Sequence, residues 1–308
     1  MATKRTKTAE LVEKAIFPRT PLIRRVLEPV TGGASTTRLM CWNVNGLKSV
    51  VDKHLEAFTN TIANNNPDVL FLQETKLQDS GTAQYVNLLK RHNYEAKMFS
   101  CSTVKKGYSG VAIYAKPEVE ILRLSKADFL NDGEGRTITV EFPKYYFVGC
   151  YVANSGQGLN RLEYRTARYD EAIRDYLALL SKTKPVVFGG DLNVAHRELD
   201  VYNYSAAHLK KQAGCTKEER ESFDRTLAAG NRVDSFRFLH PEASGHFTFW
   251  STRAGNKPFN RGMRLDYFVV PLEMMSETSE VHMVDSWCDE DAPAGVSDHG
   301  PILCDIRA

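Results

Sequence analysis

The segment Pro185-Val186-Val187-Phe188-Gly189-Gly190-Asp191-Leu192-Asn193 contains the pattern that decides the fold. A short apolar run typical of a buried strand passes directly into glycines, an aspartate and an asparagine. Polar residues stand at the boundary of an apolar run in four other places: WNVNG at 42–46, LQET at 72–75, RLDY at 264–267 and SDHGP at 297–301. Because loops at strand ends are where a rigid sheet presents reactive groups, these segments predict one shared cleft.

The other apolar runs predict an α/β fold. Strand-like runs occupy 38–42, 69–72, 110–114, 137–142, 146–152, 185–188, 265–270 and 302–306, and helical periodicity is clearest at 54–64, 164–180 and 217–229. Many neighbouring runs have no helix between them long enough for a parallel crossover, so hairpins must occur. We therefore expect two packed mixed sheets flanked by helices.

Composition places the chain among ordinary globular proteins. Of its 308 residues, 42% are hydrophobic and 25% are charged, and the formal net charge is only +2. So small a charge gives no argument for a nucleic-acid partner, and any DNA-binding surface must be local. The six cysteines are far apart and form no CxxC pair, which predicts free thiols in a reducing compartment: Cys41, Cys101, Cys150, Cys215, Cys288 and Cys304.

The start of the chain differs from the rest. Residues 1–37 carry an excess of Lys and Arg and end close to the small-residue run TGGAS at 31–35, which predicts a basic flexible arm before a folded domain at 38–308. Three interpretations of this arm stay open: a solvated tail, an import signal and a non-specific DNA tether. We find no run of about 18 apolar residues, so we expect an intracellular protein that does not span a membrane.

Each polar strand end has an ordinary alternative, because Asp and Asn at such positions commonly form Asx turns or helix caps. Glycines beside them keep the backbone uncrowded where a phosphate could bind, which favours a functional interpretation of the whole set: Gly46, Gly189, Gly190 and Gly300. The chemistry that suits this inventory is phosphodiester hydrolysis. That reaction needs positive charge near the phosphate oxygens, an activated water and help for the departing oxygen.

Oxygen ligands for a metal are available in these segments. Glu74, with help from Asn45 and Asp298, offers the hard oxygen atoms that Mg²⁺ prefers. We therefore expect a magnesium site near the ends of the strands that precede Asn45 and Glu74.

The remaining polar side chains can act on the phosphate and on water. His299 could meet the phosphate as a cation if Asp266 holds its ring and favours the charged form. Asp191 stands where it could take a proton from water, and Asn193 could donate a hydrogen bond to the phosphate in the transition state.

The ordered set of motifs resembles that of the exonuclease III class of AP endonucleases. The matching segments are WNVNGL at 42–47, LQET at 72–75, GYSGV at 107–111, GR at 135–136, YVANSG at 151–156, RLEYR at 161–165, GDLNVAH at 190–196, DSFR at 234–237, RLDYF at 264–268 and SDHGPI at 297–302. They occur in the same order from about residue 38 to the C-terminus, and so many ordered matches are highly specific.

The resemblance implies a four-layer α/β sandwich in which 38–308 is the endonuclease/exonuclease/phosphatase domain. It implies hydrolysis of double-stranded DNA on the 5′ side of an abasic site in base-excision repair, with Mg²⁺ as cofactor and Mn²⁺ able to substitute. It also implies 3′-phosphodiesterase or 3′-exonuclease activity on blocked 3′ ends. The expected protein is a monomer with no membrane partner, in the nucleus or alternatively in the mitochondrion.

By motif position, the resemblance implies that one group of side chains surrounds metal and phosphate: Asn43, Glu74, Asp191, Asn193, Asp298 and His299. Asp266 would support His299, and Tyr151 would contact the phosphate. Either Asp191 or an ionised Tyr151 could generate the nucleophile. We favour Asp191, because tyrosine has an ordinary pKa of about 10 and would need a large downward shift to act as a base.

The resemblance also implies a DNA-binding surface. Phe249, Trp250 and Leu265 correspond to the walls of an apolar pocket for the abasic sugar, although core packing is an equal alternative for Trp250. The candidates for contacts with the DNA backbone are Tyr108, Arg136, Asn154, Asn203 and Lys211.

Four positions depart from the animal members of the class. Asn45 stands where those have an aspartate, which lowers the negative charge near the metal. Gln157 and Arg253 stand where those insert an arginine and a methionine into the DNA, and Met263 replaces a tryptophan. These departures leave open the balance between abasic cleavage and 3′-end trimming.

Two rival functions remain at this point. A phosphoinositide phosphatase or sphingomyelinase of the same broad superfamily would share the metal and histidine chemistry. A non-catalytic DNA-binding or redox partner of transcription factors would instead use the cysteines.

Overall fold

The structure is a computed structural model that describes residues 15–25 and 35–308. Its strands in chain order are β1 (Thr36–Asn43), β2 (Val69–Gln73), β3 (Glu95–Ser100), β4 (Val111–Ala115), β5 (Arg123–Lys126), β6 (Thr137–Glu141), β7 (Tyr146–Tyr151), β8 (Val186–Asp191), β9 (Arg232–Asp234), β10 (Asp266–Pro271), β11 (His282–Cys288) and β12 (Ile302–Arg307).

The helices lie between these strands. The α-helices are α1 (Leu47–Asn65), α2 (Asp170–Leu180), α3 (Lys217–Ala228) and α4 (Ser235–Leu239), and a π-helical segment, Tyr164–Tyr169, runs into α2. Short 3₁₀ helices occupy Asp79–Tyr85, Lys90–His92, Gln157–Leu159, Glu198–Asp200, Ala207–Lys211, Lys257–Phe259 and Leu272–Met275. None of the helices in these two ranges is both long and apolar enough to cross a membrane.

The strands form two six-stranded mixed sheets, in the orders β11-β12-β1-β2-β4-β3 and β5-β6-β7-β8-β10-β9. Most neighbours are antiparallel, but β1 pairs with β2 and β7 pairs with β8 in parallel. The two packed mixed sheets predicted from the sequence are therefore confirmed.

The alternation of side chains along each strand builds the layers. In β1, Leu39 and Cys41 face the core between the sheets, whereas Met40 and Trp42 face α1. The side chains of β7 and β8 divide in the same way between the central core and the layer of α2 and α3. Strand residues point alternately to opposite faces, so each sheet is buried on both faces. The two sheets and their helices therefore form four layers in the order helix, sheet, sheet, helix.

Strand register places acidic residues at one edge of the molecule. Asp266, the first residue of β10, pairs directly with Asp191, the last residue of β8. Tyr151, at the end of β7, also pairs with Asp191. Asn43 ends β1, so the terminal residues of strands from both sheets meet at this edge.

Residues 15–25 lie along the folded body. Phe17 N donates to Phe259 O at 2.9 Å, and Thr20 N donates to Ser244 O at 2.9 Å. Residues 15–25 of the predicted flexible arm thus contact the folded domain, while residues 1–14 and 26–34 of that arm lie outside the described residues. β1 begins at Thr36, two residues before the predicted boundary at 38.

Candidate active site

Asn43 connects the two sheets at the site. Its amide Nδ2 donates to Asp191 Oδ2 at 2.8 Å and lies 3.5 Å from Glu74 Oε1. Its Oδ1 accepts from the backbone N of Asn45 at 3.0 Å, and its own carbonyl accepts from Ser297 Oγ at 2.7 Å. The Asn43 side chain is therefore fixed with its nitrogen between two carboxylates.

Glu74 follows β2 in the left-handed backbone region, with φ of 49°. Its Oε1 accepts from the Tyr151 hydroxyl, and its Oε2 lies 3.0 Å from Lys76 Nζ. Burial raises the pKa of Glu74, but the Lys76 charge and the hydrogen bond from Tyr151 outweigh it, and the net shift is downward. Glu74 therefore stays ionised.

Lys76 is a site residue that the sequence did not single out. Its ammonium group contacts both Glu74 and the side-chain oxygen of Asn45. No sequence motif marks a lysine two residues after a carboxylate as part of a site. In the structure, Glu74 and Lys76 both adopt a left-handed backbone, with φ of 49° and 56°. This conformation is visible only in the fold.

His299 is held between two aspartates. Its Nδ1 bonds Asp266 Oδ2 at 2.8 Å, and its Nε2 lies 3.8 Å from Asp191 Oδ2. Burial lowers the pKa of His299, but the charges of Asp266 and Asp191 outweigh it and raise the pKa to about 10. The ring is therefore positively charged at neutral pH, as the sequence predicted for a phosphate donor.

Asp191 is almost completely buried, with 1% of its surface exposed. Burial raises its pKa to about 7, with the His299 charge opposing the rise and the Asp266 charge adding to it. Its Oδ1 accepts from the backbone N of Asn193 at 2.9 Å. A carboxylate with this environment can exchange a proton near neutral pH.

Asn193 adopts a left-handed backbone, with φ of 50°, directly after Asp191 and Leu192. Its Nδ2 donates to Val152 O at 2.8 Å, and its Oδ1 accepts from Asn154 Nδ2 at 2.8 Å. The predicted DNA contact Asn154 therefore lies beside the predicted phosphate donor Asn193.

Asp298 lies directly before His299, and the charge of its carboxylate helps to raise the pKa of that ring. Its carboxylate accepts from Ser297 Oγ at 3.3 Å, and its backbone carbonyl accepts from Trp250 N at 2.9 Å. Among the described residues, no hydrogen bond joins its side chain to Glu74 or Asp191.

The donor set fits a metal that prefers oxygen. One possible group consists of Asp191, Asp266 and His299, whose ligand atoms lie within 4.8 Å of one another. In that group, however, His299 Nδ1 and Asp266 Oδ2 are already joined to each other. The Glu74 carboxylate, which approaches the same Asn43 amide as Asp191, offers further oxygen donors beside this group.

A basic cluster adjoins the carboxylates. The Tyr108 hydroxyl accepts from Arg136 Nη2 at 2.8 Å and from Arg161 Nη1 at 2.7 Å. Glu134 pairs with both guanidinium groups, at 2.7 and 3.0 Å. The Arg136 guanidinium also lies 4.7 Å from the centre of the Tyr151 ring. Tyr108 and Arg136 were predicted from the sequence as DNA contacts, whereas Arg161 was not.

An apolar wall stands beside His299. Phe249 packs with Met263 and Leu265 in one cluster, and its ring centre lies 5.0 Å from that of His299. Trp250 is not in this cluster: it is 3% exposed, and its Nε1 donates to Asn260 Oδ1. The structure therefore favours the core-packing alternative for Trp250.

The other predicted DNA contacts lie farther out. Gln157, Lys211 and Arg253 are exposed on loops or short helices. Asn203 lines a cavity of about 400 Å³ together with Phe249 and Met263. The structure thus brings the catalytic candidates together. Gln157, Lys211, Arg253 and Asn203 lie around them and not among them.

The cysteines show no sign of a working role. The predicted free thiols are confirmed, since all six are unpaired and buried. Burial raises the pKa of each thiol, which suppresses the reactive thiolate.

Comparison with known proteins agrees with this geometry. The model of the endonuclease/exonuclease/phosphatase family matches residues 40–299. A DNA-(apurinic or apyrimidinic site) endonuclease of Dictyostelium discoideum is 39% identical over 264 residues, covering 84% of this chain and 70% of that protein. An exodeoxyribonuclease of Bacillus subtilis is 38% identical over 265 residues, covering 86% of this chain and 97% of that protein.

A solved structure extends the likeness to the whole fold. The AP endonuclease of Leishmania major superimposes with a TM-score of 0.81 at 31% sequence identity. The superposition covers 99% of this chain and 100% of the Leishmania chain. The chain therefore belongs to the endonuclease/exonuclease/phosphatase family, as an exonuclease III-like member of its AP endonuclease group.

Proposed function

We propose that this protein hydrolyses the phosphodiester on the 5′ side of an abasic site in double-stranded DNA, with Mg²⁺ as cofactor. The observation that carries the proposal is the position of His299, bonded to Asp266 and 3.8 Å from Asp191. This arrangement sets a cation for the phosphate beside a carboxylate that can receive a proton, as phosphodiester hydrolysis requires.

Asp191 acts as the general base. It is fixed through both oxygens, by Asn43 Nδ2 and by the backbone N of Asn193, so its free lone pairs have a defined direction. Tyr151, the rival base, donates its hydroxyl proton to Glu74. A phenol that donates to a carboxylate keeps its proton, which leaves Tyr151 to position Glu74 and to meet the phosphate.

His299 and Asn193 supply hydrogen bonds to the phosphate. His299 presents Nε2 because Nδ1 is held by Asp266, which fixes both the ring orientation and its charge. Asn193 is held by Asn154 and by Val152 O, so its orientation does not depend on the substrate. Donors placed in advance stabilise charge that grows on the phosphate oxygens in the transition state.

Glu74 would hold the metal, beside the Asn43 amide that also bonds Asp191. When bound, Mg²⁺ supplies positive charge to the phosphate oxygens and to the departing oxygen. Lys76 lies against Glu74 and compensates part of the negative charge of the carboxylate.

The apolar wall explains the choice of an abasic substrate. Phe249, Met263 and Leu265 form a surface without charged groups next to His299. A sugar that has lost its base has also lost its stacking and pairing, so it can leave the helix at lower cost than an intact nucleotide. Arg161, which is partly exposed, provides local positive charge for DNA phosphates, whereas Arg136 is buried and holds Tyr108 and Glu134 in place.

A labelled duplex with one abasic-site analogue tests the proposal. We expect a single cut 5′ to the analogue in Mg²⁺, recovery of activity in Mn²⁺, and no cut in EDTA. A matched duplex without the lesion and a phosphoinositide substrate serve as controls. Cleavage that persists in EDTA, or hydrolysis of the phosphoinositide alone, would refute the proposal.

A second activity on blocked 3′ ends is favoured by one observation. The cavity of about 400 Å³ beside Phe249 and Met263 also contains polar groups from Tyr202, Asn203 and Arg261. Such a space, lined by both apolar and polar groups, can receive a frayed 3′-terminal group. Release of a 3′-phosphate or 3′-phosphoglycolate from a nicked duplex measures this activity.

A further inference from the structure

The N-terminal strap, defined as residues 15–25, is docked against the loop segment 244–262. Phe17 packs its ring 5.5 Å from Phe247, and Thr20 exchanges hydrogen bonds with Ser244. His246 bonds Thr20 O at 2.7 Å. Gly245 has φ of 82°, and a Cβ there would lie 2.2 Å from Pro18 O, so the close approach requires glycine.

Asn260 joins the strap to the interior of this loop segment. Its Nδ2 donates to Phe17 O at 3.2 Å and to Gly245 O at 2.9 Å, and its Oδ1 accepts from Trp250 Nε1 at 3.2 Å. Asn260 is 4% exposed and has φ of 48°, a conformation that asparagine tolerates better than most residues. One buried amide therefore bonds the strap, the loop segment and the indole of Trp250.

Trp250 in turn supports the segment that carries His299. Its backbone N donates to Asp298 O at 2.9 Å. Its ring lies 3.4 Å from the position that a Cβ on Gly300 would take. The preceding residue, Phe249, forms a β-bridge with His299, and their ring centres are 5.0 Å apart.

We propose that the strap is a positioning element of the active site and that Asn260 is the positioning residue through which it acts. The inference rests on the proposed function, since it concerns how His299 and the apolar wall are held for that reaction. The path runs from Phe17 O through the Asn260 amide to the Trp250 indole, and then from the backbone N of Trp250 to Asp298 O. Each step is a hydrogen bond between groups that are buried or partly buried.

The second half of the strap is anchored elsewhere, which provides a matched control. Arg24 pairs with buried Asp285 at 2.5 Å and lies 3.3 Å from the centre of the Trp287 ring. Leu22 packs against the core between the sheets. These contacts reach β11 rather than the loop segment 244–262, so Arg24 can be removed while the bond between Phe17 and Asn260 stays in place.

The test compares Asn260→Gly with Arg24→Ala in the full-length chain. Glycine keeps the left-handed backbone and removes only the bridging amide. We expect Asn260→Gly to lower the single-turnover rate of abasic-site cleavage about tenfold, with KM for the duplex changed less than about twofold, because a small misplacement of catalytic groups is expressed in the rate. Arg24→Ala should lower Tm yet leave that rate within about twofold of wild type.

Phe17→Ala is the second variant, for the case in which Asn260→Gly does not fold. It loosens the strap without substituting a residue of the loop segment, and we expect a rate loss of about threefold to tenfold at a temperature well below its Tm. The proposal is overturned if these variants lower Tm but keep the wild-type rate, or if Arg24→Ala slows the reaction as much as they do. Failure of the proposed function would be visible separately, as inactivity of the wild-type chain on the same duplex.

Discussion

The bond between Asp266 and His299 offers the sharpest quantitative prediction. Asp266→Asn keeps the size of the side chain and an acceptor oxygen, but it removes the negative charge that holds His299 as a cation. In wild type the bond is 2.8 Å long and both groups are buried. No other described hydrogen bond to Asp266 Oδ1 compensates for the loss, since that atom is buried without a partner.

The magnitude follows from two bounds. A hydrogen bond to a charged group contributes about 1.5–3 kcal/mol and a neutral one about 1 kcal/mol, so replacing the first by the second costs about 0.5–2 kcal/mol. We take the middle of this range, about 1 kcal/mol or about fivefold in rate, as the lower bound. Coulomb attraction across 2.8 Å at an effective dielectric constant of about 20 gives about 6 kcal/mol as the upper bound. We expect a loss between these bounds, of about 100-fold in the single-turnover rate.

The assay is single-turnover cleavage of an abasic duplex at saturating Mg²⁺, with the same variant also made in a His299→Asn background. If Asp266 acts through His299, the second substitution should cost less than about threefold once His299 is gone. A rate for Asp266→Asn within about threefold of wild type would refute the assigned role. So would full additivity of the two substitutions.

Three further outcomes are expected. Glu74→Gln should raise the Mg²⁺ midpoint of the reaction more than it lowers the rate at saturating Mg²⁺, and an unchanged midpoint in a metal titration would exclude Glu74 as a principal ligand. Arg253→Met should lower 3′-end trimming more than abasic cleavage, whereas a parallel loss of both that fades at high salt would show a general phosphate contact. Asp200 has a pKa lowered to about 2, because the charges of Arg264 and Arg237 outweigh the effect of burial. Its stabilisation is present above pH 4 and is lost as pH falls toward 2, about 2 kcal/mol in all, so urea unfolding should show that Asp200→Asn costs less at pH 3 than at pH 7.

The sequence predicted those strands whose residues follow a clear apolar pattern. β2, β4 and β8 are buried along their full length, and their apolar runs were found within three residues of their true ends. β3 and β5 were missed because they lie at sheet edges, where half-exposed residues give no alternation. An edge strand is defined by its pairing partner, which a local pattern does not contain.

β11 was missed for a different reason. It places polar residues in the interior, and Asp285 is fully buried there. Its charge is compensated by Arg24, which is 261 residues away in the chain. Only the folded structure brings the two together, so the sequence around Asp285 does not read as a buried strand.

The residues of the candidate site also differ in whether a local sequence pattern could indicate them. Asp191, Asn193 and His299 stand in motifs with flanking glycines, and their residue types fit the chemistry, so the sequence indicated them. Lys76 and Asn260 stand in no motif, and their contacts with Asn45 and Phe17 join residues that are far apart in the chain. Pattern and chemistry reveal groups that react, whereas groups that position them are seen only in three dimensions.

The central claim is that Asp191 is the general base of a phosphodiester hydrolysis. Its most direct test is the single-turnover rate of Asp191→Asn on an abasic duplex, measured beside Tyr151→Phe and with DNA affinity determined separately. We expect Asp191→Asn to lose about 10²–10⁴-fold in rate while binding the duplex within about threefold of wild type, and Tyr151→Phe to lose less. A rate for Asp191→Asn within about tenfold of wild type, or a larger loss for Tyr151→Phe, would contradict it.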